Sequence, residues 1–150
     1  MVGIGYDSHR FAEGRKLILG GVEIDHPLGL GGHSDADVLT HAVIDAILGA
    51  AGGGDIGTLF PDTDERWAGA ASLDLLATAI GTIGGAVVNV DATVICEEPK
   101  LGPYRAEIER RLGDAISSRV SVKATTNEQM GWIGRGEGIA CIAVAQLSDE

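Results

Sequence analysis

The sequence predicts an α+β fold, a single mixed β-sheet with helices packed on one face. Three observations carry that prediction. Strand-like and helix-like stretches mix without strict β–α alternation. Of 150 residues, 45% are hydrophobic and 22% charged, a globular balance rather than a disordered one. Glycine contributes 23 residues and aromatics only 4%, so packing rests on Ala, Val, Ile and Leu, with glycine setting tight turns. A chain this long buries roughly 70% of its unfolded surface, enough for one core. No internal repeat or linker divides it, and one domain over residues 1–150 is expected.

The elements follow in order. Val2 to His9 reads as a strand. Lys16 to Leu19 and Val22 to Ile24 form a hairpin around Gly20-Gly21. Ser34-Asp35-Ala36-Asp37 opens a helix with an S-x-x-D cap that runs to about Ala51, where Gly52-Gly53-Gly54 ends it. Asp55 to Asp64 is a loop. Ser72 to Ile83 is a second helix, closed by Gly84-Gly85, and Val87 to Cys96 alternates as a strand. Pro103 to Ile116 is the most exposed helix. Val120 to Thr125 and Ile139 to Leu147 are strands, separated by the glycine-rich stretch from Asn127 to Gly138.

Charge and cysteine content narrow the function classes. The net charge is -11, from 11 Lys and Arg against 22 Asp and Glu. Nucleic acid and anionic lipid surfaces call for clustered basic residues, so neither partner is expected. No apolar run approaches ~18 residues, and the first residues lack a signal-peptide layout. A cytoplasmic protein with no membrane partner is the expectation. Cys96 and Cys141 stand far apart, outside any metal-type spacing, and read as reduced structural residues.

The candidate chemistry begins on the first strand. Asp7 and His9, two apart, project from one face and reach one point; a surface pair on an edge strand has the same pattern. In the helix from Ser34, Val38, Leu39, Ala42, Val43, Ile44, Ala46, Ile47 and Leu48 cover most of the circumference. That makes it a largely buried helix. Asp37, His41 and Asp45 fall at i, i+4 and i+8 along one stripe, costly to bury unless paired or bound to metal. A solvent face is the alternative, though no Lys, Glu or Arg occurs between Asp37 and Ala51.

Asp7, His9 and His41 together supply three nitrogen or oxygen ligands, the donor set of a catalytic Zn2+ site with an open position. Asp37 and Asp45 then orient a ligating imidazole or the helix end. His33 and Ser34 lie at a helix N-terminus, where free N–H groups suit a phosphate; a common serine cap is the plainer alternative. Lys123-Ala-Thr-Thr-Asn-Glu128 offers a cation, hydroxyls at Thr125 and Thr126 for phosphate oxygens, and Glu128 for a hard divalent cation. The Gly131 to Gly138 stretch is no recognised phosphate loop.

Five motifs in order, Gly3-Ile-Gly-Tyr-Asp-Ser-His-Arg-Phe11, His33-Ser-Asp-Ala-Asp37, Asp55-Ile-Gly-Thr-Leu-Phe-Pro-Asp-Thr-Asp64, Lys123-Ala-Thr-Thr-Asn-Glu128 and Gly134-Arg-Gly-Glu-Gly-Ile-Ala140, span nearly the whole chain. Together they resemble the 2-C-methyl-D-erythritol 2,4-cyclodiphosphate synthase family of the non-mevalonate isoprenoid pathway. The resemblance implies a phosphorus–oxygen lyase. It converts 4-diphosphocytidyl-2-C-methyl-D-erythritol 2-phosphate to the 2,4-cyclodiphosphate and releases CMP. It also implies a homotrimer with active sites between subunits, one Zn2+ per subunit, and Mg2+ or Mn2+ as a second cation.

By the same resemblance, Asp7, His9 and His41 correspond to the Zn2+ ligands and Glu128 to the residue of the second cation. His33 and Thr126 match the pair that stabilises the transition state, with Ser34 nearby. Asp55, Ile56 and Gly57, then Phe60, Pro61, Asp62, Thr63 and Asp64, match the sugar-phosphate wall. Cys96 to Gly102, with Pro99 and Lys100, matches the cytidine segment, a side lined also by Thr125 to Glu128. Trp132 and Arg135 complete the substrate-binding positions. Arg135 and Glu137 match residues facing the three-fold axis, where a central cavity is linked to isoprenoid diphosphates. Trp132 replaces a smaller aromatic, Asn127 replaces a frequent hydroxyl residue, and Glu97-Glu98 makes the cytidine segment unusually acidic. A Zn2+ phosphoesterase using activated water and a non-catalytic trimeric binding protein are the competing classes.

Overall fold

The computed structural model describes residues 1–149. Strands β1 (Val2–Ala12), β2 (Leu17–Leu19), β3 (Val22–Ile24) and β4 (Gly29–Leu30) precede helix α1 (Val38–Ala51) and a one-turn helix α2 (Ile56–Leu59). Helix α3 (Ser72–Ile80), strand β5 (Val87–Ile95), helix α4 (Arg105–Ile116), strand β6 (Arg119–Thr125), a short α5 (Gly131–Gly134) and strand β7 (Gly138–Leu147) follow. Five strands form one mixed sheet in the order β4–β1–β7–β5–β6, and β2 and β3 form the separate hairpin read from the sequence. β7 runs antiparallel to both β1 and β5, whereas β6 lies parallel to β5 through the α4 crossover.

Helix α1 covers one face of this sheet, across β1 and β7. Its Leu39, Val43, Ile44 and Ile47 are fully buried, as are Ile139, Cys141, Ala143 and Ala145 of β7. Each buried Leu, Ile or Val side chain contributes about 1.5–3 kcal/mol. The contact is unusually close because β1 presents glycine where α1 passes. A Cβ on Gly3 would stand 2.1 Å from the Ala46 carbonyl oxygen, and one on Gly5 would stand 2.0 Å from that of Ala42. Gly3, Gly5, Asp7 and His9 share the face of β1 turned towards the helix. The opposite face carries Val2, Ile4 and Tyr6, which are 68%, 71% and 55% exposed. Across β7, Ile4 pairs with Val144 and Tyr6 with Ile142, which are also exposed.

Several boundaries differ from the sequence expectation. Helix α1 begins at Val38, not at Ser34, because Ala36 takes a left-handed backbone (φ 56) that breaks the turn. The cap is Asp37, whose Oδ1 accepts the Thr40 N–H at 3.0 Å. At its other end Gly52 (φ 71) and Gly53 close the helix onto the Gly49 and Leu48 carbonyls, the left-handed glycine ending expected. Helix α3 stops at Ile80 and not Ile83, since Thr82 turns its hydroxyl back onto the Ala79 carbonyl at 2.7 Å. Strand β1 extends to Ala12, where it meets the short β4 that the sequence did not signal. Gly102–Tyr104 is a 3-10 turn ahead of α4. On the β6 edge, the Glu109 carboxylate of α4 accepts the Val122 N–H at 2.8 Å, which occupies a donor an edge strand would leave open.

Candidate active site

The glycines of β1 let α1 deliver His41 to the strand pair Asp7 and His9. One carboxylate oxygen, Asp7 Oδ2, lies 2.8 Å from His9 Nε2 and 3.2 Å from His41 Nδ1. The ligand atoms of the three residues all fall within 4.8 Å of one another. The outer nitrogens are engaged as well. His9 Nδ1 is 2.7 Å from the Gly31 carbonyl oxygen and His41 Nε2 is 3.1 Å from Ser34 Oγ. A carbonyl only accepts, so His9 Nδ1 carries the proton and a neutral His9 turns a bare Nε2 lone pair towards the Asp7 carboxylate. Two acceptors 2.8 Å apart require a proton or a cation between them.

The electrostatics agree with that requirement. Burial alone would lower the His9 imidazole, but the hydrogen bond and charge of Asp7 outweigh it and hold His9 above its ordinary 6.5. Burial would raise Asp7, yet the hydrogen bonds of His41 and His9 hold that carboxyl below the usual range. Two imidazoles and one carboxylate, with the outer nitrogens oriented by Gly31 and Ser34, suit Zn2+ in donor type and number.

The cluster lies in a 510 Å³ cavity lined also by Gly32, His33, Ser34, Ile56, Gly57, Phe60, Pro61, Asp62 and Trp67. Asp45 takes no part in orienting an imidazole; its Oδ1 accepts the Ile56 N–H at 2.7 Å and so ties the cavity wall to α1. Burial, with the nearby charges of Asp55 and Asp7, raises the Asp45 carboxyl despite that hydrogen bond. Asp55 and Asp64 turn their carboxylates into their own loop, where Asp55 caps α2 through Thr58 and Asp64 pairs with Arg66. Phe60 meets Trp67 edge to face, with centroids 4.8 Å apart. The Trp67 Nε1 is buried without a hydrogen-bond partner among the described residues.

At the N-terminus of α1 the Thr40 N–H is taken by the Asp37 cap, while His33 and Ser34, read from the sequence with that helix end, line the cavity. Asp37, fully buried, accepts from Gly20 N, Gly21 N, Thr40 N, the Thr40 hydroxyl and the Ser72 hydroxyl at 2.6–3.0 Å. It anchors the β2–β3 hairpin and α3 to the helix end and leaves the imidazoles alone. Asp35, which the sequence did not single out, accepts the Ser72 N–H at 2.9 Å. Burial and the neighbouring Asp37 charge raise its carboxyl.

The residues expected around the nucleotide form a second hollow of 470 Å³, lined by Glu97, Glu98, Lys100, Thr126, Glu128, Gln129 and Gly134. Thr125 and Pro99 flank it, with the Cys96 N–H donating to the Thr125 carbonyl at 3.0 Å and the Cys96 thiol near the Pro99 carbonyl. Burial pushes that thiol up to about 11 and also raises Cys141. Both cysteines are free. Trp132 lines a third hollow with Ser8, His9, Arg10 and Glu137, and Arg135 pairs with Glu137 at 2.5 Å. Within one chain, therefore, His33 and Thr126 belong to different cavities.

A family model described as the YgbB family matches residues 1–148. A 2-C-methyl-D-erythritol 2,4-cyclodiphosphate synthase of Symbiobacterium thermophilum is 56% identical, over 99% of this chain and 98% of its own length. Among solved structures, the bifunctional IspDF of Campylobacter jejuni superposes with TM-score 0.92 at 43% identity, over 97% of this chain and 41% of that one. The CDP complex of IspF from Plasmodium falciparum superposes with TM-score 0.83 at 35% identity, over 97% and 94%.

Proposed function

This chain belongs to the YgbB family, and from that premise we propose that it closes 4-diphosphocytidyl-2-C-methyl-D-erythritol 2-phosphate into 2-C-methyl-D-erythritol 2,4-cyclodiphosphate and CMP. The observation that carries this is the convergence of Asp7, His9 and His41 on one point in the cleft walled by residues 56–62. In the reaction the 2-phosphate oxygen attacks the β-phosphorus. A new P–O bond closes the ring as the bond to the CMP oxygen breaks, and the electron pair leaves with CMP. Nucleophile and leaving group share one molecule, so the protein's work is positioning and electrostatic stabilisation. A phosphate monoester oxygen is already anionic, and no side-chain base is required.

His33 and the Thr126 hydroxyl donate to the phosphoryl oxygens in flight, with Ser34 beside them. Residues 55–57 and 60–64 hold the methylerythritol phosphate, and residues 96–102 with Thr125 hold the cytidine. Asp7, His9 and His41 are the residues that would hold one Zn2+ per subunit, and Glu128 with substrate phosphates would hold Mg2+ or Mn2+. Bound there, these cations supply Lewis-acid polarisation and the positive charge that an acidic protein lacks for a substrate with about four negative charges.

The active protein is a homotrimer whose sites lie between subunits. Two features of the chain support this: the metal half and the nucleotide half line separate cavities, and one sheet face leaves Val2, Ile4, Tyr6, Ile142 and Val144 uncovered. Arg135 and Glu137 then face the three-fold axis, at a central cavity suited to an isoprenoid diphosphate. The protein works in the cytoplasm. Among the described residues no helix is long and apolar enough to cross a membrane.

A 31P NMR time course with the diphosphocytidyl substrate and Mg2+, repeated after zinc chelation, tests this. A cyclic diphosphate with equimolar CMP, lost on chelation, is expected. A linear phosphate product would mark a hydrolase instead, and no turnover by the zinc-loaded protein would mark a binding protein.

A further inference from the structure

The acidic residue Glu97 has no task in the reaction as described, yet the structure places it at a decisive joint. We propose that Glu97 is a positioning residue that fixes the loop carrying Thr126 and Glu128. This inference rests on the reading of the reaction above. Glu97 follows the end of β5, and its two carboxylate oxygens are both spent on one loop. Its Oε2 accepts the Asn127 N–H at 2.7 Å and its Oε1 accepts the Gln129 N–H at 3.1 Å. The two amides flank Glu128.

The loop needs such an outside hold. Glu128 and Gln129 take left-handed backbones in succession, with φ of 53 and 62, a conformation that side chains with a Cβ disfavour. Backbone N–H groups brought round in this way form a concavity that binds an anion, and here the Glu97 carboxylate fills it. Hydrogen bonds to an ionised acceptor are roughly twice as strong as neutral ones, so the carboxylate selects this loop conformation over others.

Its consequence falls on the reacting groups. With the loop held, the Glu128 N–H donates to Thr126 Oγ1 at 3.2 Å, which leaves the Thr126 hydroxyl proton free to donate to a phosphoryl oxygen. On the same turn Glu128 lines the hollow shared with Lys100. The Glu97 carbonyl accepts from Lys100 Nζ at 3.0 Å, so one residue joins the nucleotide segment to the phosphate loop. The Glu97 half of this acidic pair thus serves backbone amides, while Glu98 lies 4.0 Å from the Lys100 ammonium.

The test compares Glu97→Ala and Glu97→Gln with wild type in kcat, KM, thermal midpoint and amide hydrogen exchange at Asn127 and Gln129. Glu97→Ala is expected to lower kcat about 100-fold, the scale of a mispositioned catalytic group, with KM changed by less than about 5-fold. Exchange at both amides should accelerate by at least about 10-fold as their acceptors disappear. Glu97→Gln keeps one acceptor oxygen and is expected to return kcat to within about 10-fold of wild type. An unchanged kcat in Glu97→Ala, unchanged amide exchange, or equal losses in the two variants would overturn the proposal. Should Glu97→Ala fail to melt cooperatively, Glu97→Gln decides alone, and wild-type exchange at both amides would refute the anchor. A wild-type protein that makes no cyclic product would refute the reaction, while the exchange comparison still judges the anchor.

Discussion

At the scale of single residues, the site is a set of polar groups that cannot all be neutral and content at once. His9 turns a lone pair towards Asp7 because the Gly31 carbonyl fixes its proton on the far nitrogen. Removing the His41 imidazole should therefore abolish zinc retention and activity while leaving a folded protein; one equivalent of zinc retained by His41→Ala would contradict the ligand set. The pH response has a definite sign. In the metal-free protein His9 is raised above 6.5, so its protonation contributes stability that is complete below 6.5 and lost as pH rises through the raised value. Zinc competes with that proton, so the loaded protein should instead gain stability over the same rise. Melting curves from pH 6 to 8, with and without chelator, check both directions. The Asp7–His9 pair and the His41 stripe were legible from spacing alone. Asp37 takes the second of the two roles its position offered, the helix end, but its other donors, on the hairpin and α3, are invisible until those elements are in place. Asp37→Ala should cost at least about 3 kcal/mol, because several buried donors lose their acceptor together, measurable by urea unfolding. Thr126→Val is expected to raise the barrier by about 2–4 kcal/mol, the scale of one preorganised donor, read as a fall in kcat.

At the scale of elements, the decisive contact is α1 on β1. The sequence showed a buried helix and a strand, and glycine was read as a turn residue. In fact Gly3 and Gly5 are strand glycines that admit a helix backbone, and the matching signal was Ala42, Ala46 and Ala50 at intervals of four on the opposing helix. A Cβ at Gly5 would meet the Ala42 backbone at 2.0 Å, and only movement of the whole helix relieves that. Gly5→Ala should therefore lower stability by about 1–3 kcal/mol, as overpacking does, and weaken zinc binding by drawing His41 from Asp7. Calorimetry and zinc titration check the two effects, and a variant with wild-type affinity would show that the helix approach does not set the site. The strands and helices with strong periodicity were legible to within a few residues. The glycine ending of α1 was legible too, but its N-terminal boundary was not, since Ala36 leaves the helix through a left-handed turn that nothing in Ser34 to Asp37 announces.

At the scale of the whole molecule, the charge of -11 and the two separated half-sites make one argument. On the proposed reaction, an acidic chain that binds a polyanion needs cations in the site, and a site whose halves line two cavities needs a second copy. The uncovered face of Val2, Ile4, Tyr6, Ile142 and Val144 offers the surface for it, since a monomer gains nothing by exposing a contiguous apolar patch. Alternation along β1 turns Val2, Ile4 and Tyr6 to one face, and the sheet register sets Ile4 and Tyr6 beside Val144 and Ile142. Ile4→Asp is expected to dissociate the assembly, because it buries an unpaired charge in the interface; sedimentation equilibrium gives the mass. Co-refolded mixtures of His41→Ala and Thr126→Ala subunits test the shared site most directly. Each variant alone lacks one half, but a mixed trimer places an intact metal half against an intact nucleotide half. Random assembly of equal amounts should recover about a quarter of the wild-type rate of cyclic diphosphate formation. A mixture no more active than its parents, beside a wild-type protein that turns over, would contradict a site built from two subunits.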